Sequence, residues 1–106
     1  MINNQNIDDK YKITLLSNSY IASHKRIEDS ETNIFRRSAE DLRASRIIVS
    51  HMESVTQRLD PKERIIIENE VLMGKKGKWY LEFFSASAYY RARKKAYRDY
   101  LRIIEQ

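Results

Sequence analysis

The chain has no cysteine, one proline, two glycines and two histidines in 106 residues. Without cysteine there is no disulfide framework and no thiolate metal site. So little glycine and proline leaves scant turn chemistry for a multi-stranded sheet. No apolar run approaches the roughly 18 residues that a membrane-spanning helix needs, and the opening M-I-N-N-Q-N lacks the charged and apolar regions of a secretion signal. His24 and His51 have no partner at a metal-binding spacing such as H-E-x-x-H, and there is no glycine-rich cofactor loop. These absences predict an all-α, cytoplasmic protein that is not an enzyme, carries no cofactor or metal and does not enter a membrane.

What the chain does contain is charge, unevenly placed. Residues 1–60 hold nine Lys/Arg and nine Asp/Glu, whereas residues 61–106 hold eleven against six, so the net charge of +5 belongs to the second part alone. That asymmetry points to an anionic partner for the C-terminal part.

Hydrophobic spacing divides the chain further. From about Asp8, the residues Tyr11, Leu15, Leu16 and Tyr20 recur at helical intervals. The polar stretch H-K-R-I-E-D-S-E-T-N either breaks that helix, the favoured reading being near Asp29–Ser30, or is carried along a longer one. A second helix is expected from about Glu31 to Leu59, with a stripe of Ile34/Phe35, Leu42, Ile48/Val49, Met52, Val55 and Leu59. Residues 1–59 therefore read as an N-terminal helical hairpin or pair of long helices, serving to pack or to form a homodimer. The sharpest boundary is Leu59-Asp60-Pro61-Lys62-Glu63. Asp60 suits an N-cap, Pro61 the first helical position, and Glu63 the third residue of a capping box. That helix, with Ile66, Ile67, Val71 and Leu72 inward, should stop at Gly74. A basic turn Lys75-Lys76-Gly77-Lys78 follows, then a short apolar helix or turn from Trp79 to Phe84. Ser85 should cap a last helix from Ala86 to about Ile104.

The last helix is the informative one. Eight of the eleven aromatic residues fall between Trp79 and Tyr100. At roughly 100° per residue, Arg91, Lys94, Lys95, Arg98 and Arg102 share about 100° of surface. Tyr89, Ala92, Ala96, Tyr100, Ile103 and Ile104 lie opposite, with Tyr90, Tyr97 and Leu101 on the border. Tyr89, Tyr97 and Tyr100 are thus expected in the core. Arg93 alone projects onto the apolar side, as a partner for Glu70 or Glu82.

The segment from about 59 to 104 resembles the region-4-like helix-turn-helix of sigma factors. L-D-P-K-E-R-I-I-I-E-N-E-V-L is similar to the opening helix of that domain and F-F-S-A-S-A-Y-Y-R-A-R-K-K-A-Y to its recognition helix. The run W-Y-L-E-F-F-S-A-S-A-Y-Y-R-A-R-K-K-A is similar to phage late-transcription regulators of the ArpU/RinA type. The resemblance implies a helix-turn-helix over residues 60–106 that docks on double-stranded DNA, with Ser85 to Lys95 in the major groove.

A recognition helix meets base edges with its early outward residues and holds phosphates with later cations. The expected base contacts are Ser87, Tyr90, Arg91 and Lys94, with Arg91 fitted to a guanine edge. The expected phosphate contacts are Lys75, Lys76, Lys78, Ser85, Lys95, Arg98 and Arg102. The function expected is a small sequence-specific transcription regulator. The alternative is a sigma-like factor that binds RNA polymerase without binding DNA by itself. Stacking of RNA bases on Trp79 and Tyr90 is a weaker third expectation.

Overall fold

A computed structural model describes the backbone of residues 4–32 and 39–106, and the side chains of 8–31 and 39–106. The described residues form helices and no strand: α1 (Asn4–Thr32), α2 (Ala39–Gln57), α3 (Pro61–Ile67) and α4 (Ala86–Ile104). A π-helical turn, Glu68–Leu72, prolongs α3, and a single 3-10 turn, Trp79–Glu82, precedes α4. No described helix is long and apolar enough to cross a membrane.

The break expected near Asp29–Ser30 is absent, because α1 runs on through it to Thr32. The polar stretch contains neither glycine nor proline, so nothing forces the backbone out of the helix. Ser30 sends its hydroxyl back to the Ile27 carbonyl at 2.8 Å instead of capping a new helix, and His24 and Glu28 face each other at 3.1 Å one turn apart. Glu31, expected to start the second helix, lies in α1, and α2 is described from Ala39 to Gln57. The expected Ile34 and Phe35 lie outside the described residues.

α1 and α2 pack against each other and against the C-terminal elements. Tyr20 of α1 donates to Glu53 Oε2 of α2 at 2.8 Å, and Ser23 and Ser45 are fully buried. Side chains that small let helix backbones come close. The tyrosine hydroxyl is held in its protonated form by burial and by the Glu53 carboxylate beside it. Ser17 of α1 donates to the Val71 carbonyl at 2.8 Å, which seats α1 on the π turn.

The start of α3 forms on local chemistry. Asp60 Oδ1 accepts from the Glu63 amide at 2.9 Å and Pro61 occupies the first turn. Only half of the expected capping box is made, since the Glu63 carboxyl turns toward Lys95, at 3.4 Å. At the far end the helix widens: Met73 N–H bonds the Glu68 carbonyl five residues back at 3.0 Å, and Lys75 N–H bonds the Asn69 carbonyl at 2.9 Å. Gly74 closes this end with φ of 66°, in the left-handed region, as a helix-terminating glycine should. A Cβ at Gly74 would stand 2.9 Å from Ile21 Cδ1, whereas at Gly77, also left-handed, it would meet nothing within 4 Å. Gly74→Ala is therefore expected to cost about 1–2 kcal/mol in urea unfolding, and Gly77→Ala less, because only the first adds a contact to the backbone strain.

One apolar cluster joins all the elements. Ile13 and Tyr20 come from α1, Met52 and Val55 from α2, Ile66 and Ile67 from α3, and Tyr89, Ala96, Tyr97, Tyr100 and Leu101 from α4. Tyr100 is fully buried and donates to the Met52 carbonyl at 3.3 Å, tying α4 to α2.

Candidate nucleic-acid interface

α4 is two-faced as its spacing requires. Ser85 Oγ caps it by accepting from the Ala88 amide at 3.3 Å. Tyr89, Ala96, Tyr97, Tyr100 and Leu101 are buried. Ser87, Tyr90, Arg91, Lys94, Lys95, Arg98 and Arg102 are all exposed, as are Ser85 and the loop lysines Lys75, Lys76 and Lys78. Ser85 keeps its hydroxyl proton to donate outward while its oxygen caps the helix.

The outward cations differ in what already holds them. Lys95 lies 2.9 Å from Asp99, 3.4 Å from Glu63 and 3.8 Å from Asp60, and Arg102 lies 3.7 Å from Asp99. The Asp99 hydrogen bond and the charge of Glu63 raise the Lys95 ammonium above its ordinary value. Arg91, Lys94 and Arg98 make no ion pair among the described residues. With Ser87 they fall at spacings of four, three and four, which places Ser87, Arg91, Lys94 and Arg98 in one stripe along the helix. Lys95 stands on the α3 side of that stripe, and Tyr90 borders it on the side of α1 and the loop.

A carboxylate fixes the rotation of α4 about its axis. Glu70, in the π turn, has a side chain only 10% exposed. It follows Ile66 by one helical turn and so points inward. Its Oε2 accepts from Trp79 Nε1 at 3.0 Å and from the Tyr89 hydroxyl, and its Oε1 accepts from the Tyr97 hydroxyl at 2.5 Å. Arg93 Nε stands 3.5 Å from Oε1 and donates to the Tyr97 hydroxyl at 3.2 Å, with its guanidinium 5.1 Å from the Tyr97 ring centre. Of the two acids expected to pair with Arg93, Glu70 is the one that does. Burial and the Glu70 carboxylate push Tyr97 up to about 12 and raise Tyr89 as well, so both hydroxyls stay donors. With its inner face locked, α4 presents the stripe at a fixed angle.

The second carboxylate group, Asp60, Glu63 and Asp99 around Lys95, was not foreseen from sequence. Glu63 is buried, and desolvation first, then the neighbouring Asp99 and Asp60, raise its carboxyl from 4.5 to about 7. Asp60 and Asp99 go the other way, lowered chiefly by the Glu63 amide and by the Glu63 side chain respectively. A carboxyl with a raised folded value stabilises the fold fully below its unfolded value of 4.5 and loses that contribution as pH rises through about 7. The two lowered aspartates contribute fully above their unfolded value of 3.8 and lose that contribution only as pH falls below it, outside this range. Between about pH 5 and about pH 8 the unfolding free energy should therefore fall by about 1–2 kcal/mol, solvent screening included. Glu63→Gln should flatten that decline in urea titrations at the two pH values; an unchanged decline would place its cause elsewhere.

Trp79 is half-buried with its N–H committed to Glu70, while Tyr90 is 56% exposed, so of the two rings considered for base stacking Tyr90 is the open one. No protein-family model, curated protein or solved structure matches the chain.

Proposed function

We propose that the protein is a small sequence-specific transcription regulator that lays α4 along the major groove of double-stranded DNA. The observation that carries this is the unpaired stripe. Ser87, Arg91, Lys94 and Arg98 are exposed on one line of a helix whose opposite face is packed into the core. Cations with no internal partner keep their full attraction for phosphate, and a planar guanidinium near the helix start suits a guanine edge. Arg91 reads bases together with Ser87, Tyr90 and Lys94. Arg98 and Arg102, with Lys75, Lys76, Lys78 and Ser85, hold phosphates, and Lys95 contributes less because three carboxylates surround it. Residues 60–106 act as a helix-turn-helix of the sigma-region-4 kind. α1 supplies a homodimer contact through Tyr11 and Leu15, which are 63% and 50% exposed one turn apart. Fluorescence anisotropy on a random duplex at low salt tests the reading: saturable binding that weakens steeply with added salt is expected, and no binding sinks it.

A second reading has its own observation. Leu81 and Phe83 are 56% and 52% exposed just before α4, apolar surface better suited to a protein than to phosphate. In that reading the chain docks on RNA polymerase without binding DNA by itself, and co-purification of polymerase that survives nuclease treatment separates the two.

A further inference from the structure

We propose that the cleft between α1, the lysine loop and the start of α4 is a binding site for a nucleoside phosphate. The cleft encloses about 740 Å³, within the range of roughly 300–1,000 Å³ usual for small-molecule sites. Its lining combines two chemistries. Lys75, Lys76 and Lys78 come from the loop and Lys10 from α1, four ammonium groups that form no ion pair among the described residues. Ile13, Ile21 and the rings of Tyr80, Tyr89 and Tyr90 line the same cleft.

The aromatic wall is already ordered as a stack. Tyr80 and Tyr89 lie parallel, 3.8 Å between centres and 3° between planes. Tyr90 meets them edge-on, at 6.0 Å and 5.0 Å, and its ring is the exposed one. The cleft wall also holds a carboxylate, Glu70, but its oxygens are taken by Trp79, Tyr89 and Tyr97 and its charge is offset by Arg93. It therefore does not oppose an incoming anion as a free acid would. Gly77 turns with φ of 77° and has open space where a Cβ would be, so the loop backbone can be approached closely. Loop ammonium groups and an exposed ring in one cleft suit a ligand with phosphates at one end and a planar ring at the other. The base lies on Tyr90 and the phosphates among Lys75, Lys76 and Lys78. This site shares Tyr90 and the loop lysines with the proposed DNA interface but none of Arg91, Lys94 and Arg98. Ligand and DNA would therefore compete for those shared residues, and the site does not require α4 to bind DNA.

Calorimetric titration of the whole chain with ATP, ADP and pyrophosphate tests it. One saturable site is expected for ATP and ADP, with pyrophosphate about tenfold weaker or more. Lys76→Gln with Lys78→Gln should weaken ATP by about tenfold or more. Asn18→Trp, which grows into the cleft from an exposed position on α1, should abolish binding, thermal unfolding showing that each variant is folded. Tyr90→Ala should cost about tenfold for ATP and leave pyrophosphate unchanged, the signature of a stacked base. Absence of ATP binding at about millimolar concentration, or binding equal in the wild type, the lysine pair and Asn18→Trp, overturns the proposal. Pyrophosphate binding as tightly as ATP overturns the nucleoside part and leaves only a phosphate site.

Discussion

Glu70→Ala is expected to destabilise the protein by about 3–5 kcal/mol, the range for removing one partner of a buried charge pair. The cost comes from what is left behind more than from what is lost. Trp79 Nε1 and the hydroxyls of Tyr89 and Tyr97 would lose their common acceptor, and the half-buried Arg93 would lose the only carboxylate within 4 Å of it among the described residues. Each buried donor left without a partner costs about 1–3 kcal/mol, and these losses overlap. Tyr97→Phe, which removes one donor and keeps the ring, should cost only about 1 kcal/mol. Replacing Glu70 and Arg93 together by apolar residues should cost clearly less than the sum of the single changes, since the double variant strands no charge. Urea unfolding compares the Glu70, Arg93 and Tyr97 single variants and the double variant with the wild type. A Glu70→Ala loss below about 1 kcal/mol would mean that the carboxylate does not hold α4.

The second large effect concerns the outward face of the same helix. Arg98→Ala should weaken binding to every duplex alike and lower the slope of log affinity against log salt by about one. Lys95→Ala should change that slope less, although the two cations are only three residues apart. Arg98 makes no ion pair among the described residues, whereas Lys95 sits within 4 Å of Asp60, Glu63 and Asp99, whose carboxyl groups offset its charge toward a phosphate. Anisotropy titrations at several salt concentrations measure both slopes. Equal slopes for the two variants would show that the carboxylate cluster opens when the protein binds, and a larger loss for Lys95→Ala would put the contact face on the α3 side of α4.

Features with local causes were legible in the sequence, and those made by the crossing of helices were not. The ends of α3 and α4 were legible because their causes are local: Asp60 and Pro61, Gly74, and Ser85 each act within a turn of themselves. Arg93 was legible as a charge on an apolar face that needs an acid, with Glu70 or Glu82 to supply it, and only the fold chose Glu70. The length of α1 was not legible. Its polar stretch reads as a break by composition, yet nothing in it excludes helical backbone, and packing against α2 and the π turn decides the matter. The carboxylate cluster around Lys95 escaped for another reason. Asp60 and Glu63 start one helix and Asp99 lies in the last third of another, so only the crossing of α3 over α4 brings them together. The sharing of Glu70 among three ring donors likewise depends on depth and angle, which spacing does not carry. The stripe from Ser87 to Arg98 stands between these cases. Its residues were legible from the wheel, but which cations stay unpaired was not.

The claim that Arg91 on this stripe reads base identity is tested most directly by selecting bound duplexes from a random pool at two salt concentrations, with Arg91→Ala alongside the wild type. The wild type should enrich one sequence pattern at both salts, with a guanine that Arg91→Ala ceases to select at a cost of about 1–3 kcal/mol in discrimination. An identical pattern from both proteins would contradict it, as would enrichment of no sequence at either salt.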